Sequence, residues 1–154
     1  MMKKKIFSIV AICFSIVFVS CSNNDKKATA VSDNNIDAAR NFIRAALDGK
    51  FTEAKRYMLD DSLNNYFMNL AERSYIKYDQ ATRTSYLNAS IQFHKTIPVN
   101  DSVSVIIYSN SYKNDHDTLK VIKSGENWLI DLKYLFLHDS DTTLPGITIK
   151  DTLR

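Results

Sequence analysis

Residues 87–134, LNASIQFHKTIPVNDSVSVIIYSNSYKNDHDTLKVIKSGENWLIDLKY, decide the fold, because here the apolar period switches from helical to alternating. Ile91, Phe93 and Ile97 fall on one face of a strand that stops near Pro98, and Val103, Val105 and Ile107 fall on one face of the next. Asn100-Asp101 supplies turn chemistry between them, and Tyr112-Lys113-Asn114-Asp115-His116-Asp117 reads as a polar hairpin connection. Leu119 and Val121 mark a third strand. Ser124-Gly125-Glu126-Asn127 turns the chain again, into a fourth strand with Trp128, Ile130, Leu132 and Tyr134. Strands joined by such short connections pair antiparallel.

Upstream of residue 87 the period is helical. Ile36, Ala39, Phe42, Ile43, Ala46 and Leu47 form a stripe that predicts a helix over 36–48, capped by Asn34 or Asn35 and ended by Gly49. Thr52 offers the cap of a second helix that closes on Tyr57-Met58, and Asp60, Asp61 and Ser62 offer caps for a third. That third helix carries Leu63, Tyr66, Phe67, Leu70 and Ala71 at i, i+3, i+4, i+7 and i+8. Residues 74–86 either continue it or break into a further piece, since Thr82, Thr84 and Ser85 lower the helix propensity. Helices followed by four hairpin-linked strands give an α+β class, with the helices packed on one face of an antiparallel sheet.

Two stretches carry a resemblance. Asp48-Gly49-Lys50-Phe51-Thr52-Glu53-Ala54-Lys55, followed by Val121-Ile122-Lys123-Ser124-Gly125-Glu126-Asn127-Trp128-Leu129-Ile130-Asp131, resembles the opening and closing signatures of small bacterial lipoproteins of domain of unknown function 4878. These belong to the nuclear transport factor 2-like superfamily. The resemblance spans residues 36–132 and implies short helices seated in the concave side of a strongly curved sheet, a cone with a pocket. Residues 74–87 are longer than the corresponding part of that family's third helix.

The first 20 residues read as a secretory signal: Lys3, Lys4 and Lys5 precede an apolar run over 6–19, interrupted by Ser8 and Ser15. A membrane span needs roughly 20 apolar residues, so this run is too short for one. At its end Phe18-Val19-Ser20-Cys21 resembles the lipobox of bacterial lipoproteins, with Phe18 where that family usually has Leu. The resemblance implies cleavage before Cys21, acylation of its thiol and amine, and attachment to a membrane surface without a span. Ser22 stands where an inner-membrane retention signal usually carries Asp, which favours a periplasm-facing location at the outer membrane. Residues 21–35 then form a flexible tether, 36–138 the folded domain and 139–154 a C-terminal tail.

Removal of the signal changes the charge balance. The whole chain carries 20 basic and 17 acidic residues, and the net +3 comes from Lys3, Lys4 and Lys5 alone. A neutral mature chain gives no basic patch for nucleic acid. Cys13 leaves with the signal and Cys21 is taken by lipid, so neither a disulfide nor a thiol nucleophile is available. His94, His116 and His138 lack the i, i+4 spacing of a helical zinc site, and three glycines leave no Gly-rich phosphate loop. No G-x-S-x-G motif occurs, and no cofactor motif is present.

Aromatic content is what exceeds background. Eight tyrosines lie after residue 21, with Phe42, Phe51, Phe67, Phe93, Phe136 and Trp128. Tyr57, Tyr66, Tyr78, His94, Tyr108 and Trp128 are candidates to line a pocket, although half-buried core positions suit Tyr equally well. For acid–base chemistry the candidates are Asp79 and Asp131, assisted by Tyr66, Tyr78, Tyr108 or His94. Each has a plainer role: Asp79 as a helix cap, Asp131 and His94 as residues on the solvent side of the sheet. The reading that follows is a lipid-anchored, non-catalytic binding or accessory module of the cell envelope, for a small apolar ligand or an envelope protein. The alternatives are a homodimeric scaffold using the sheet face and, third, a small isomerase or hydrolase.

Overall fold

The computed structural model describes Ser32 and residues 34–137. The signal, Cys21, most of the tether and the tail after residue 138 lie outside the described residues. Five α-helices and four strands follow in the order α1 (Asn35–Leu47), α2 (Phe51–Ala54), a single 3₁₀ turn (Lys55–Tyr57), α3 (Ser62–Ile76), α4 (Gln80–Asn88), β1 (Ile91–Asn100), β2 (Val103–Asn110), β3 (Asp117–Ser124), β4 (Asn127–Asp131) and α5 (Lys133–Leu137). The sheet is antiparallel throughout, in the order β1-β2-β3-β4. This is an α+β fold.

The helix ends obey capping chemistry. The Asn34 side chain accepts the Asp37 amide at 2.9 Å to start α1, and Gly49 takes φ +73° just past its end. Asp61 starts α3 by accepting the amides of Leu63 and Asn64 at 3.0 and 2.9 Å. Thr52 does not cap α2: the helix begins one residue earlier, at Phe51, with Lys50 in the cap position and no side-chain cap.

One face of the sheet meets the helices. Ile106, Tyr108, Leu119, Val121 and Ile130 join Ala39, Phe42, Ile43, Phe67 and Met68 in a single buried cluster. A β-bulge in β1 breaks the expected alternation: Phe93 pairs with Tyr108, but Lys95 pairs with Ile107, leaving His94 as the extra residue. Ile91 and Phe93 therefore pack against the core, whereas Ile97 is paired with Val105 on the opposite face. The strand also continues through Pro98. Its edge position tolerates a residue without an N–H.

The outer edge of β4 is occupied rather than open. Met58 forms a parallel bridge with Ile130, and the Leu59 amide donates to the Ile130 carbonyl at 2.9 Å. β4 then stops at Asp131, so Leu132 and Tyr134 belong to the turn and to α5. Asp131 lies opposite the core-facing residues of its strand, yet is only 5% exposed. The reason is the return of the chain: Lys133 and Lys120 bring ammonium groups to 3.6 Å of its carboxylate, and α5 packs on β3.

α3 is rotated relative to the stripe expected from its apolar spacing. Asn64, Phe67 and Met68 are buried, while Leu63, Tyr66 and Leu70 are exposed. A polar residue sets this orientation. Asn64, 0% exposed, accepts the Leu132 amide at 2.7 Å and donates to Asp61 at 2.7 Å, so the Asn64 face turns inward.

Candidate functional site

Between the second half of α1, the end of α3, α4 and the β2–β3 end of the sheet lies an open cleft of about 480 Å³. Phe42, Ile43, Ala46 and Leu47 of α1 form its apolar back, since they continue the stripe that packs α1 on the sheet. Ala71 and Tyr75 come from α3, Tyr78 from the break after it and Tyr86 from α4. Tyr108 and Asn110 of β2 and Asp117 of β3 supply the polar floor.

Local chemistry fixes each wall. Tyr75 packs against Gly49, where a Cβ would stand 2.6 Å from its ring, so the glycine is required both by its positive φ and by this approach. The break between α3 and α4 is held by Arg83, which donates to the carbonyls of Tyr78 and Ile76, both at 2.9 Å. Asp79 caps α4 by accepting the Thr82 amide at 2.7 Å. The far end of α4 is tied to α1 by Arg44, whose guanidinium donates to the carbonyls of Ala89 (2.7 Å), Leu87 (3.1 Å) and Tyr86 (3.2 Å). Asp48 holds that guanidinium at 2.7 Å.

The result is a continuous aromatic panel. Tyr75 meets Phe51 edge-on at 5.4 Å and Tyr78 at 6.0 Å between ring centres; Tyr78 and Tyr86 stack at 5.5 Å; Tyr86 meets Tyr112 at 4.9 Å. Facing it, Tyr108 and Asp117 are directly opposite each other across β2 and β3. Paired residues of an antiparallel ladder project to the same face. Burial, with a smaller contribution from the neighbouring Asp115 charge, raises the Asp117 carboxyl above its ordinary value. Burial likewise pushes Tyr86 up to about 12, helped by hydrogen bonding to Tyr78, and pushes Tyr108 higher still. Both phenols therefore stay protonated as hydrogen-bonding groups at neutral pH.

Of the residues singled out from sequence, Tyr78 and Tyr108 line the cleft and the others lie elsewhere. Tyr57 is half-buried against the core, and Tyr66 is 54% exposed on the outside of α3. Trp128 packs against the core with the Lys123 ammonium 6.0 Å from its ring centre. His94 sits on the opposite face of the sheet, its Nε2 2.8 Å from the Ser109 hydroxyl and its ring 4.2 Å from that of His116. Asp79 is a cap, held below the usual carboxylate range by the hydrogen bond from Thr82. Asp131 is paired with two lysines. Among the described residues no group of three metal-ligating side chains assembles, and no helix is long and apolar enough to cross a membrane.

Tyr75, Tyr86 and Asp117 are the site residues that sequence reading missed. Asp117 had a usable signal, since it alternates with Leu119 and Val121 and so shares their inward face. No family model matches the chain, and neither a curated protein nor a solved structure does.

Proposed function

We propose that the protein is an exported, lipid-anchored binding module of the bacterial cell envelope that holds a small, largely apolar ligand in the cleft, without catalysis. The observation that carries this reading is the cleft itself. Its volume lies within the roughly 300–1,000 Å³ of small-molecule sites, and its apolar back with a few convergent polar groups has their usual lining. The lipobox-like Phe18-Val19-Ser20-Cys21 and the basic, apolar leader support export and anchoring. The order of helices before a four-stranded antiparallel sheet supports the resemblance to nuclear transport factor 2-like lipoproteins.

One observation favours a second reading, acid–base catalysis in the same cleft: Asp117 is a carboxyl of raised pKa opposite a phenol. Among the described residues no histidine lines the cleft to share a proton with it, and binding stays the first reading.

The test uses N-phenyl-1-naphthylamine, an uncharged dye that brightens in apolar sites. Its fluorescence should rise with the wild-type protein and with Tyr66→Trp on the outside of α3, and be lost with Ala71→Trp, which fills the cleft. Equal brightening by Ala71→Trp would remove the cleft from consideration. For the anchor, Cys21→Ala should leave an uncleaved precursor that takes up no labelled palmitate; a processed, labelled variant would refute lipidation at Cys21.

A further inference from the structure

The cleft holds an uncompensated negative charge. Asp117 is about half buried, and neither a hydrogen bond nor an ion pair reaches its carboxylate among the described residues. Burial and then the neighbouring Asp115 charge both raise its proton affinity. Lys113 also lines the cleft, but its ammonium lies over the Tyr112 ring at 5.8 Å. Elsewhere in this chain buried or half-buried carboxylates are paired: Asp131 with Lys120 and Lys133, Asp48 with Arg44 and Lys50. Solvent in the cleft reaches the Asp117 carboxylate, since among the described residues Ser32 Oγ is the one fully buried polar side-chain atom without a partner, and a ligand that displaces this solvent would need to bring a cation in its place.

A second observation points the same way. Tyr108 is only 8% exposed, lines the cleft beside Asp117, and its phenol has no hydrogen-bond partner among the described residues. Tyr75, Tyr78 and Tyr86 also line the cleft, and aromatic side chains favour cationic over anionic neighbours. An anionic ligand would meet Asp115 and Asp117; a wholly neutral one would leave Asp117 unpaired.

We propose that the ligand of the cleft is an organic cation, an ammonium group on an apolar body, with the ammonium beside Asp117 and Tyr108 and the body along the Phe42 and Leu47 side. This rests on the reading of the cleft as a ligand site and adds the ligand's charge.

The experiment is calorimetric titration of the protein with three six-carbon probes: hexylammonium, hexan-1-ol and hexanoate. The cation should bind at least tenfold more tightly than either of the others, and Asp117→Asn should remove most of that preference. Hexan-1-ol or hexanoate binding as tightly as the cation overturns the charge assignment and leaves the cleft as a ligand site. A preference that survives in Asp117→Asn also overturns it, since the carboxylate is then not its source. Binding of none of the three contradicts both the assignment and the ligand-site reading.

Discussion

The two ends of α3 are built on opposite principles. At its start the buried polar group is engaged: Asn64 bridges Asp61 and the Leu132 amide, and the Lys133 ammonium reaches Asp61 at 3.0 Å. At its far end, Tyr75 opens onto a cleft whose Tyr108 phenol and Asp117 carboxylate have no partner among the described residues. The first end joins α3 to β4 and α5, and the second leaves polar groups free for something else to meet. Polar satisfaction, more than hydrophobicity, distinguishes the structural end of this small domain from its candidate functional end.

The largest effect is expected at the engaged end. Asn64→Ala leaves the buried Leu132 amide unpaired and creates a cavity, which should cost about 3 kcal/mol. Urea denaturation checks this. A loss below about 1 kcal/mol would mean that the Asn64 bridge is not what orients α3.

That bridge also explains what sequence could and could not reveal. The existence of α3 was legible from its spacing and from Asp61, but its buried face was not. Apolar counting favours Leu63, Tyr66 and Leu70, whereas the hydrogen bond to Leu132, 68 residues away, turns Asn64 inward. The sheet was legible from its alternation and turns, except where one bulge residue, His94, moved Ile97 to the other face. The cleft was the least legible part. Tyr75, Tyr86 and Asp117 come from three elements, and no local period brings them together. Tyr57, Tyr66, Tyr78 and Trp128 share the same residue chemistry, and only tertiary packing sorts Tyr78 into the cleft and the others away from it.

The next effect is at the wall of the open end. Gly49→Ala combines a positive φ with a Cβ placed against the Tyr75 ring, for a cost of about 2 kcal/mol. Because that ring must move, dye affinity in the cleft should fall as well. Asn64→Ala, at folded concentrations, should leave dye affinity intact, and the two variants together separate stability from site shape.

Arg44→Met keeps the alkyl stem but removes three hydrogen bonds to carbonyls at the end of α4, for about 1.5 kcal/mol. Amide exchange should accelerate in α4 and remain unchanged in the first half of α3. Equal acceleration in both would show that the ends are not independent.

The smallest effects are in the pH dependence, and they carry opposite signs. Asp61 is held at about 2, first by the Asn64 backbone hydrogen bond and then by Lys133, against an ordinary value of 3.8. Its contribution is complete above about pH 4 and is lost as pH falls from about 4 to about 2; solvent screening at this exposed site limits it to about 1 kcal/mol. Asp117 is raised instead, so the folded state binds its proton more tightly and stability falls as pH rises through the ordinary carboxylate value toward the folded one. Asp61→Asn should therefore flatten the acid limb of the stability profile, and Asp117→Asn should stabilise the protein slightly at neutral pH. Destabilisation by Asp117→Asn would mean that the carboxylate has a structural partner.

Native mass spectrometry of the protein extracted gently from its own cells tests the central claim most directly. A reproducible small-molecule mass excess on the wild type that disappears in Ala71→Trp is the expected result. The same excess retained by the cleft-filled variant would contradict the assignment of the open end of α3 as the ligand site.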